Sequence, residues 1–280
     1  MTASQPGLDL QQLRAIAGRR RTATALPGLL DRVAEHLDDH DGYVSWSGGK
    51  DSTVVVDLAR QVDPHVPVVF FDSGLQFPET YQYLEDRALQ WRLNYHVIAA
   101  EPDLLTVLIA LGGFDHDAPD RRLGGVELAD LMIKGPAAQA HRLHGPGALW
   151  GVRAEESSGR RALYRQQLAA RSARHPDLGR GAARASLGGV IERADGTVTY
   201  GPIWDWQRAQ VFGYLAARSI EPNPLYEKFA RLGMPDAQIR VDSIIDASKL
   251  SNGHVAWLQR GWPDLFDRLA FALPRLREYT

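Results

Sequence analysis

Six consecutive residues, Ser47-Gly48-Gly49-Lys50-Asp51-Ser52, carry the clearest chemistry in the chain. Two adjacent glycines permit positive φ and let the backbone come close to a ligand. Successive N–H groups in such a bend, joined by those that open a helix, make a concave seat for an anion. Ser47 and Ser52 add hydroxyl donors, and Lys50 brings a charge for a phosphate oxygen. Asp51 cannot ligate phosphate itself; its carboxylate suits a helix cap or a Mg²⁺ ion bridging phosphates. The spacing differs from the Gly-x-x-x-x-Gly-Lys-Ser/Thr loop. Val44 stands where the first glycine would be, and Asp51 follows Lys50. The plain alternative is a tight turn that needs glycine for backbone reasons alone.

The flanking pattern favours the phosphate reading. Tyr43 to Trp46 is a short strand candidate, and Val54, Val55, Leu58 and Ala59 recur at helical spacing after Ser52. Val66 to Phe71 is an almost unbroken apolar run, as expected of a strand buried on both faces. Asp72-Ser73-Gly74 breaks it, and Pro78 opens a helix to about Trp91. Asn94 to Ala99 is a third strand candidate, Pro102 to Leu111 a helix, and Leu149 to Val152 a fourth strand. Strands alternating with helices predict an α/β fold with a parallel sheet between helices. Upstream, Leu8, Leu10, Leu13 and Ile16 suggest one helix, and Pro27 starts a second with Leu29, Leu30, Val33 and Leu37 on one face. Residues 153–184, rich in Arg, Ala, Ser and Gly, read as a loop with one helix around Ala162 to Ala170. A hairpin turning at Asp195-Gly196 follows, and the rest is mostly helical. The expected organisation is an N-terminal helical segment (1–41), a nucleotide-binding α/β core (42–204) and a helical C-terminal region (205–280).

Composition excludes several classes. The chain has 280 residues and no cysteine, which removes disulfides, thiolate metal sites, iron–sulfur clusters and any cysteine nucleophile of its own. A net charge of −2 argues against a uniformly basic nucleic-acid binder. No run of eighteen apolar residues points to a membrane span. Met1 to Leu10 shows no basic stretch followed by an apolar one, so no secretory leader is expected and the cytoplasm is the default.

With these residues in view, the chain resembles the PP-loop superfamily of adenine nucleotide α-hydrolases, and within it the phosphoadenosine phosphosulfate (PAPS) reductase family. Residues 47–52 resemble the PP-loop. Asp72-Ser73-Gly74-Leu75-Gln76-Phe77-Pro78-Glu79-Thr80 resembles the family's Asp-Thr-Gly-x-x-Phe-Pro-Glu-Thr segment, with Ser73 for threonine. Gly151 to Arg160 resembles its Gly-x-Arg-x-x-x-Ser segment with a following arginine. Pro202-Ile203-Trp204-Asp205-Trp206 and Asn223-Pro224-Leu225-Tyr226 resemble its later elements. The resemblance implies a Rossmann-like sheet with an adenine nucleotide, ATP or an adenylyl sulfate (PAPS or its relative without the 3′-phosphate), as substrate. The PP-loop would take the phosphates, and Phe71, Asp72, Ser73 and Gly74 would line the adenosine pocket. Arg153 and Arg160 would hold the anionic group beyond the α-phosphate, with Gly151 and Ser157 also among the nucleotide-binding residues. Lys50, Asp51, Arg153 and Arg160 are the expected catalytic set, with Mg²⁺ on Asp51. A guanidinium suits such work because it forks onto phosphate or sulfate oxygens and stays charged; the bland reading of Arg153 is an ion pair with Glu155 or Glu156.

One feature departs from that family. Its sulfonucleotide reductases attack sulfur with a C-terminal cysteine, and this chain has none. What remains is chemistry at the α-phosphate: cleavage or transfer to an acceptor that the sequence does not identify. A nucleotide-binding subunit that works only with a protein partner is the alternative, and the tail from Leu225 to Pro263 loosely resembles proteins paired with ParB-like partners. A nucleic-acid modification enzyme using the arginines of residues 160–184 ranks third. His141 and His144, and Asp115-His116-Asp117, lack a recognised metal spacing and read as exposed polar residues. Trp204 and Trp206 read as core.

Overall fold

The computed structural model describes residues 21–113, 130–235, 238–245 and 253–280. The expected helix around Leu8 to Ile16 and the Asp115-His116-Asp117 cluster lie outside these residues. Strands and helices alternate from the first element: α1 (Arg21–Asp39), β1 (Gly42–Ser45), α2 (Lys50–Val62), β2 (Pro67–Asp72), α3 (Pro78–Trp91), β3 (Asn94–Ala99), α4 (Leu104–Ala110), α5 (Gly135–His144) and β4 (Gly147–Trp150). Then come α6 (Ser158–Ala173), α7 (Arg180–Leu187), β5 (Val190–Glu192), β6 (Val198–Tyr200), α8 (Arg208–Ala217), α9 (Leu225–Arg231), α10 (His254–Gly261) and α11 (Pro263–Ala272).

The six strands run in the order β3-β2-β1-β4-β6-β5. β1 and β4 pair in parallel, with Val44 opposite Leu149, and β4 pairs in parallel with β6. Only the terminal hairpin pair β5–β6 among the described pairings is antiparallel. A 3-2-1-4 strand order with helical crossovers is the doubly wound, Rossmann-like arrangement, whose order reverses beside the first strand. The loop that leaves that strand is the glycine bend.

The chain divides into two compact units. Among the described residues the first comprises 21–46, 50–68 and 144–222; the second comprises 47–49, 69–113, 130–143, 223–235, 238–245 and 253–280. Trp46, Val54, Val55, Leu58, Leu149 and Ile203 lie fully buried in the first. A near-continuous apolar stretch, Val54-Val55-Val56, is buried because α2 is covered on several sides, which a purely amphipathic helix would not be. In the second, Phe77, Leu104, Phe229, Trp262, Phe266 and Leu273 share one cluster. Phe77 meets Phe229 edge-on with ring centroids 5.5 Å apart and lies 4.7 Å from the Trp262 ring.

Two local expectations change. α1 already includes Arg21, the first described residue, so Pro27 lies within the helix rather than at its start. An interior proline lacks the N–H and crowds the carbonyl one turn back, yet the helix continues through the flanking residues. Residues 153–184 are helical rather than a loop with one short helix: α6 is capped by Ser157, whose hydroxyl accepts from the Arg160 N–H at 3.1 Å, and α7 follows. The weak apolar periodicity there has a simple cause, since α6 buries only Tyr164 and needs no apolar stripe.

Candidate functional site

The glycine bend forms as the residue types require. Gly48 has φ of +73°, a left-handed conformation that costs other residues and not glycine. A Cβ on Gly49 would meet the Ser47 hydroxyl at 3.3 Å. α2 then starts at Lys50, and Thr53 in its first turn accepts a 3.0 Å hydrogen bond from the Trp46 indole at the end of the preceding strand. The bend is therefore tied across its own base.

Within the first unit, Lys50, Asp51 and Arg153 converge. Asp51 Oδ2 is 2.6 Å from Lys50 Nζ, and Asp51 Oδ1 is 2.6 Å from Arg153 Nε. All three side chains are at least nine-tenths buried. Gly151 makes this approach possible: a Cβ there would fall 2.3 Å from the Ser52 amide nitrogen and 2.6 Å from the Asp51 carbonyl carbon. The end of β4 can thus run against the first turn of α2 only without a side chain at 151.

Arg153 is held by more acid than one cation needs. Besides Asp51 it donates to Glu155, lies 3.8 Å from Glu156, and reaches the Trp206 carbonyl at 3.4 Å. Burial alone would lower the pKa of its guanidinium, but the charge of Asp51 and its hydrogen bond, with Glu156 and Glu155, hold it above the ordinary arginine value. Glu155 also accepts from the Arg208 N–H at 2.9 Å, and Glu156 pairs with Arg160. Lys50, Arg153 and Arg160 therefore face Asp51, Glu155 and Glu156, three positive against three negative. The ion pair of Arg153 with Glu155, weighed above as the bland reading, is present, and Asp51 joins it.

Asp51 makes no side-chain cap; its two carboxylate oxygens are each engaged by a cationic nitrogen. In that arrangement it does not fit Mg²⁺, which would stand beside two protein cations. Among the described residues no group of three or more histidines, aspartates and glutamates is arranged to hold a metal ion. His141 and His144 both lie on α5.

In the second unit the strand-end residues form a compact turn. Asp72 Oδ1 accepts from the Gly74 N–H and the Tyr81 hydroxyl, both at 2.8 Å, and the Asp72 carbonyl accepts from Ala100. Burial, then the Asp72 hydrogen bond, push the Tyr81 hydroxyl pKa up. The Ser73 hydroxyl accepts from the Leu75 N–H and from Gln76 at 3.3 Å. Gly74 has φ of +75°. Phe71 is half-buried and Ser73 buried. Residues 239–245 close this turn: Thr80 donates to the Val241 carbonyl at 2.9 Å, the Ile244 N–H to the Leu75 carbonyl at 2.8 Å, and the Ser243 N–H to Gln76. A Cβ on Gly49 would lie 3.6 Å from Val241 and 3.7 Å from the Tyr226 hydroxyl.

Sequence reasoning missed Tyr81, Gln76 and Val241 as parts of this turn. The alternation of Ile239 and Val241 with Arg240 and Asp242 was the available signal for an extended segment there. It also missed Asp57, which is fully buried and accepts from Arg60, Arg218, Gln61 and the Tyr214 hydroxyl, at 2.6 to 3.5 Å. An aspartate flanked by apolar residues inside α2 was the available signal.

A doubly wound, mostly parallel sheet whose central first strand runs into a glycine bend defines a Rossmann-like α/β protein. The phosphoadenosine phosphosulfate reductase domain model matches residues 42–237, and the chain belongs to that family. It is 26% identical over 220 residues to the phosphoadenosine 5′-phosphosulfate reductase of Serratia proteamaculans, covering 78% of this chain and 74% of that protein. The reductase of Alteromonas mediterranea is 36% identical over 89 residues, 32% of each chain. Among solved structures it is similar to phosphoadenylyl-sulfate reductase from Candida auris in a phosphate complex, at 15% identity and TM-score 0.46, over 83% of this chain and 95% of that one. The ammonia-dependent NAD synthetase of Campylobacter jejuni gives TM-score 0.42 at 14% identity, over 92% and 95%. No helix among the described residues is long and apolar enough to cross a membrane.

Proposed function

We propose that the chain binds an adenine nucleotide, ATP or an adenylyl sulfate, and cleaves or transfers at its α-phosphate without thiol chemistry of its own. The observation that carries this reading is the convergence of Lys50 and Arg153 on Asp51 at the first turn after the glycine bend. The carboxylate holds both cations in place, and phosphate oxygens of an incoming nucleotide would exchange with it. Ser47, Gly48, Gly49 and Ser52 complete the phosphate seat. Phe71 to Gly74 belong to the adenosine side, and Gly151, Ser157 and Arg160 to the side of the leaving group.

The chemistry balances without a redox step. An acceptor oxygen or nitrogen, or water, attacks the α-phosphorus. The bond from phosphorus to the bridging oxygen breaks, and pyrophosphate or sulfate leaves with the electron pair. The adenylyl group ends on the acceptor, or as AMP if water attacks. Lys50, Arg153 and Arg160 contribute by neutralising charge on the leaving group, and the bend by fixing the line of attack. The relatives named as reductases act on a sulfonucleotide; with no cysteine, this chain cannot supply the thiol. That same absence supports a second reading, a nucleotide-binding subunit completed by a protein partner, ParB-like or other.

Incubating the purified protein with ATP or adenylyl sulfate and candidate acceptors, then separating products by ion exchange, tests the enzyme reading. AMP or an adenylylated acceptor, with stoichiometric pyrophosphate or sulfate, is expected. Nucleotide binding without turnover, restored by a co-eluting partner, selects the second reading. Neither binding nor turnover ends both.

A further inference from the structure

The first unit carries a surface of one sign, of which the proposed nucleotide site uses only Arg160. Between Ser158 and Leu187 stand seven arginines and a single acid, Asp177, in a chain whose net charge is −2. These residues form α6 and α7. Four of the arginines have carboxylate partners: Arg160 with Glu156, Arg171 and Arg174 with Glu192, and Arg184 with Asp205. The other three, Arg161, Arg165 and Arg180, are exposed, and no hydrogen bond or ion pair engages their side chains among the described residues. With Asp177 and the three partner acids counted, the surface keeps a surplus of three positive charges.

The helix that carries most of these arginines is largely exposed. Of the sixteen residues of α6 only Tyr164 is buried. Its outward face, Ala162, Gln166, Ala169 and Ala173, carries no acid and no bulky group. Arg161 and Arg165 lie one turn apart on the flank of that face, about 6 Å along the axis at 1.5 Å per residue, within reach of neighbouring phosphates on one strand.

We propose that α6 and α7 are a docking surface for double-stranded DNA, with α6 along the major groove and Arg161, Arg165 and Arg180 on phosphates. The B-form major groove, about 12 Å wide, admits a helix. The deep, narrow major groove of A-form RNA does not. An anionic membrane is a poorer match, because an interfacial helix needs a strong apolar face, and the largest apolar exposures here are Leu163 at 40% and Leu178 at 39%. The inference stands apart from the nucleotide reading, since none of the three arginines belongs to that site.

Fluorescence anisotropy of the full chain with a labelled DNA duplex of about 20 base pairs tests it. Three phosphate contacts predict a slope of about −2.7 in log K against log salt, hence about 40-fold weaker binding at 200 mM than at 50 mM. The Arg161→Gln/Arg165→Gln/Arg180→Gln variant should lose nearly all of that slope while keeping the wild-type circular dichroism and ATP affinity. Lysines at the same positions should retain it, and Arg165→Gln alone should remove about one unit. The proposal is overturned by absence of binding at 50 mM, an unchanged slope in the glutamine variant, or equal binding to an RNA duplex or to vesicles with phosphatidylserine. Loss of ATP affinity in that variant, with no DNA bound by the wild type, would instead make the segment a nucleotide lid.

Discussion

Arg153 in the first unit and Lys228 in the second are both partly or wholly withdrawn from water, and they are held in opposite ways. Lys228 meets a single acid, Glu79, at 2.7 Å, and sits 3.8 Å from the centroid of the Trp262 ring. Glu79 takes the Trp262 indole N–H at 2.8 Å as well. Burial alone would raise the pKa of Glu79, but Lys228 and the indole more than offset it and hold the carboxyl below the ordinary range. One cation, one anion and an aromatic frame leave nothing to exchange. Arg153, in contrast, meets three carboxylates, two of which it shares with Lys50 and Arg160. A buried cation whose partners are shared can trade one of them for a ligand oxygen. An exclusive pair in the second unit thus stands against a shared network of three cations and three acids in the first.

The largest expected effect separates structural charge from exchangeable charge inside the first unit. Asp57→Asn leaves donors from Arg60, Arg218 and Tyr214 around a neutral amide and should cost about 3–5 kcal/mol, read from the denaturant midpoint, with nucleotide affinity per folded molecule unchanged. If affinity falls while stability holds, Asp57 belongs with the exchangeable set. Gly151→Ala forces a methyl onto the backbone of Ser52 and should cost about 3 kcal/mol, the upper end for overpacking. It should also weaken ATP binding at least tenfold, because the first turn of α2 has to move. A variant of normal stability and affinity would show that Gly151 is not the point of closest approach.

A comparable effect should appear on acidification. Burial, with His40 beside it, pushes the His36 pKa down from 6.5 to about 4. The unfolded chain gains that proton below pH 6.5 and the native chain does not until about pH 4. The contribution of His36 is therefore complete above pH 6.5 and declines down to pH 4, by about 3 kcal/mol at most. Unfolding curves of wild type and His36→Gln should converge over that interval; a constant gap would mean that His36 titrates normally. The smallest effect belongs to Lys228→Met, about 1 kcal/mol given its exposure. It should leave ATP affinity intact, and a tenfold loss there would erase the contrast between the two cations.

Much of this was legible in the residues. Pro78 and Asn94 mark element boundaries that the structure keeps, because proline at a first helical turn and strand formers such as Tyr95, Val97 and Ile98 act locally. The glycine bend was equally plain, since Gly48 needs a backbone few residues adopt. The partnership of Asp51 with Arg153 was not: the two are 102 residues apart, and nothing local in either segment encodes which acid meets which cation. The same holds for Val241 against Thr80, 161 residues away. α6 was underestimated because helices are recognised by the stripe they bury, and this one buries a single side chain.

The most direct test is isothermal titration of ATP and adenylyl sulfate into wild-type protein and Lys50→Ala. The account predicts that the wild type binds at least one of them, and that removing the Lys50 ammonium weakens this tenfold or more while circular dichroism stays the same. Equal affinity in the two proteins would contradict it, because the bend and its buried cations would then not be where the nucleotide binds.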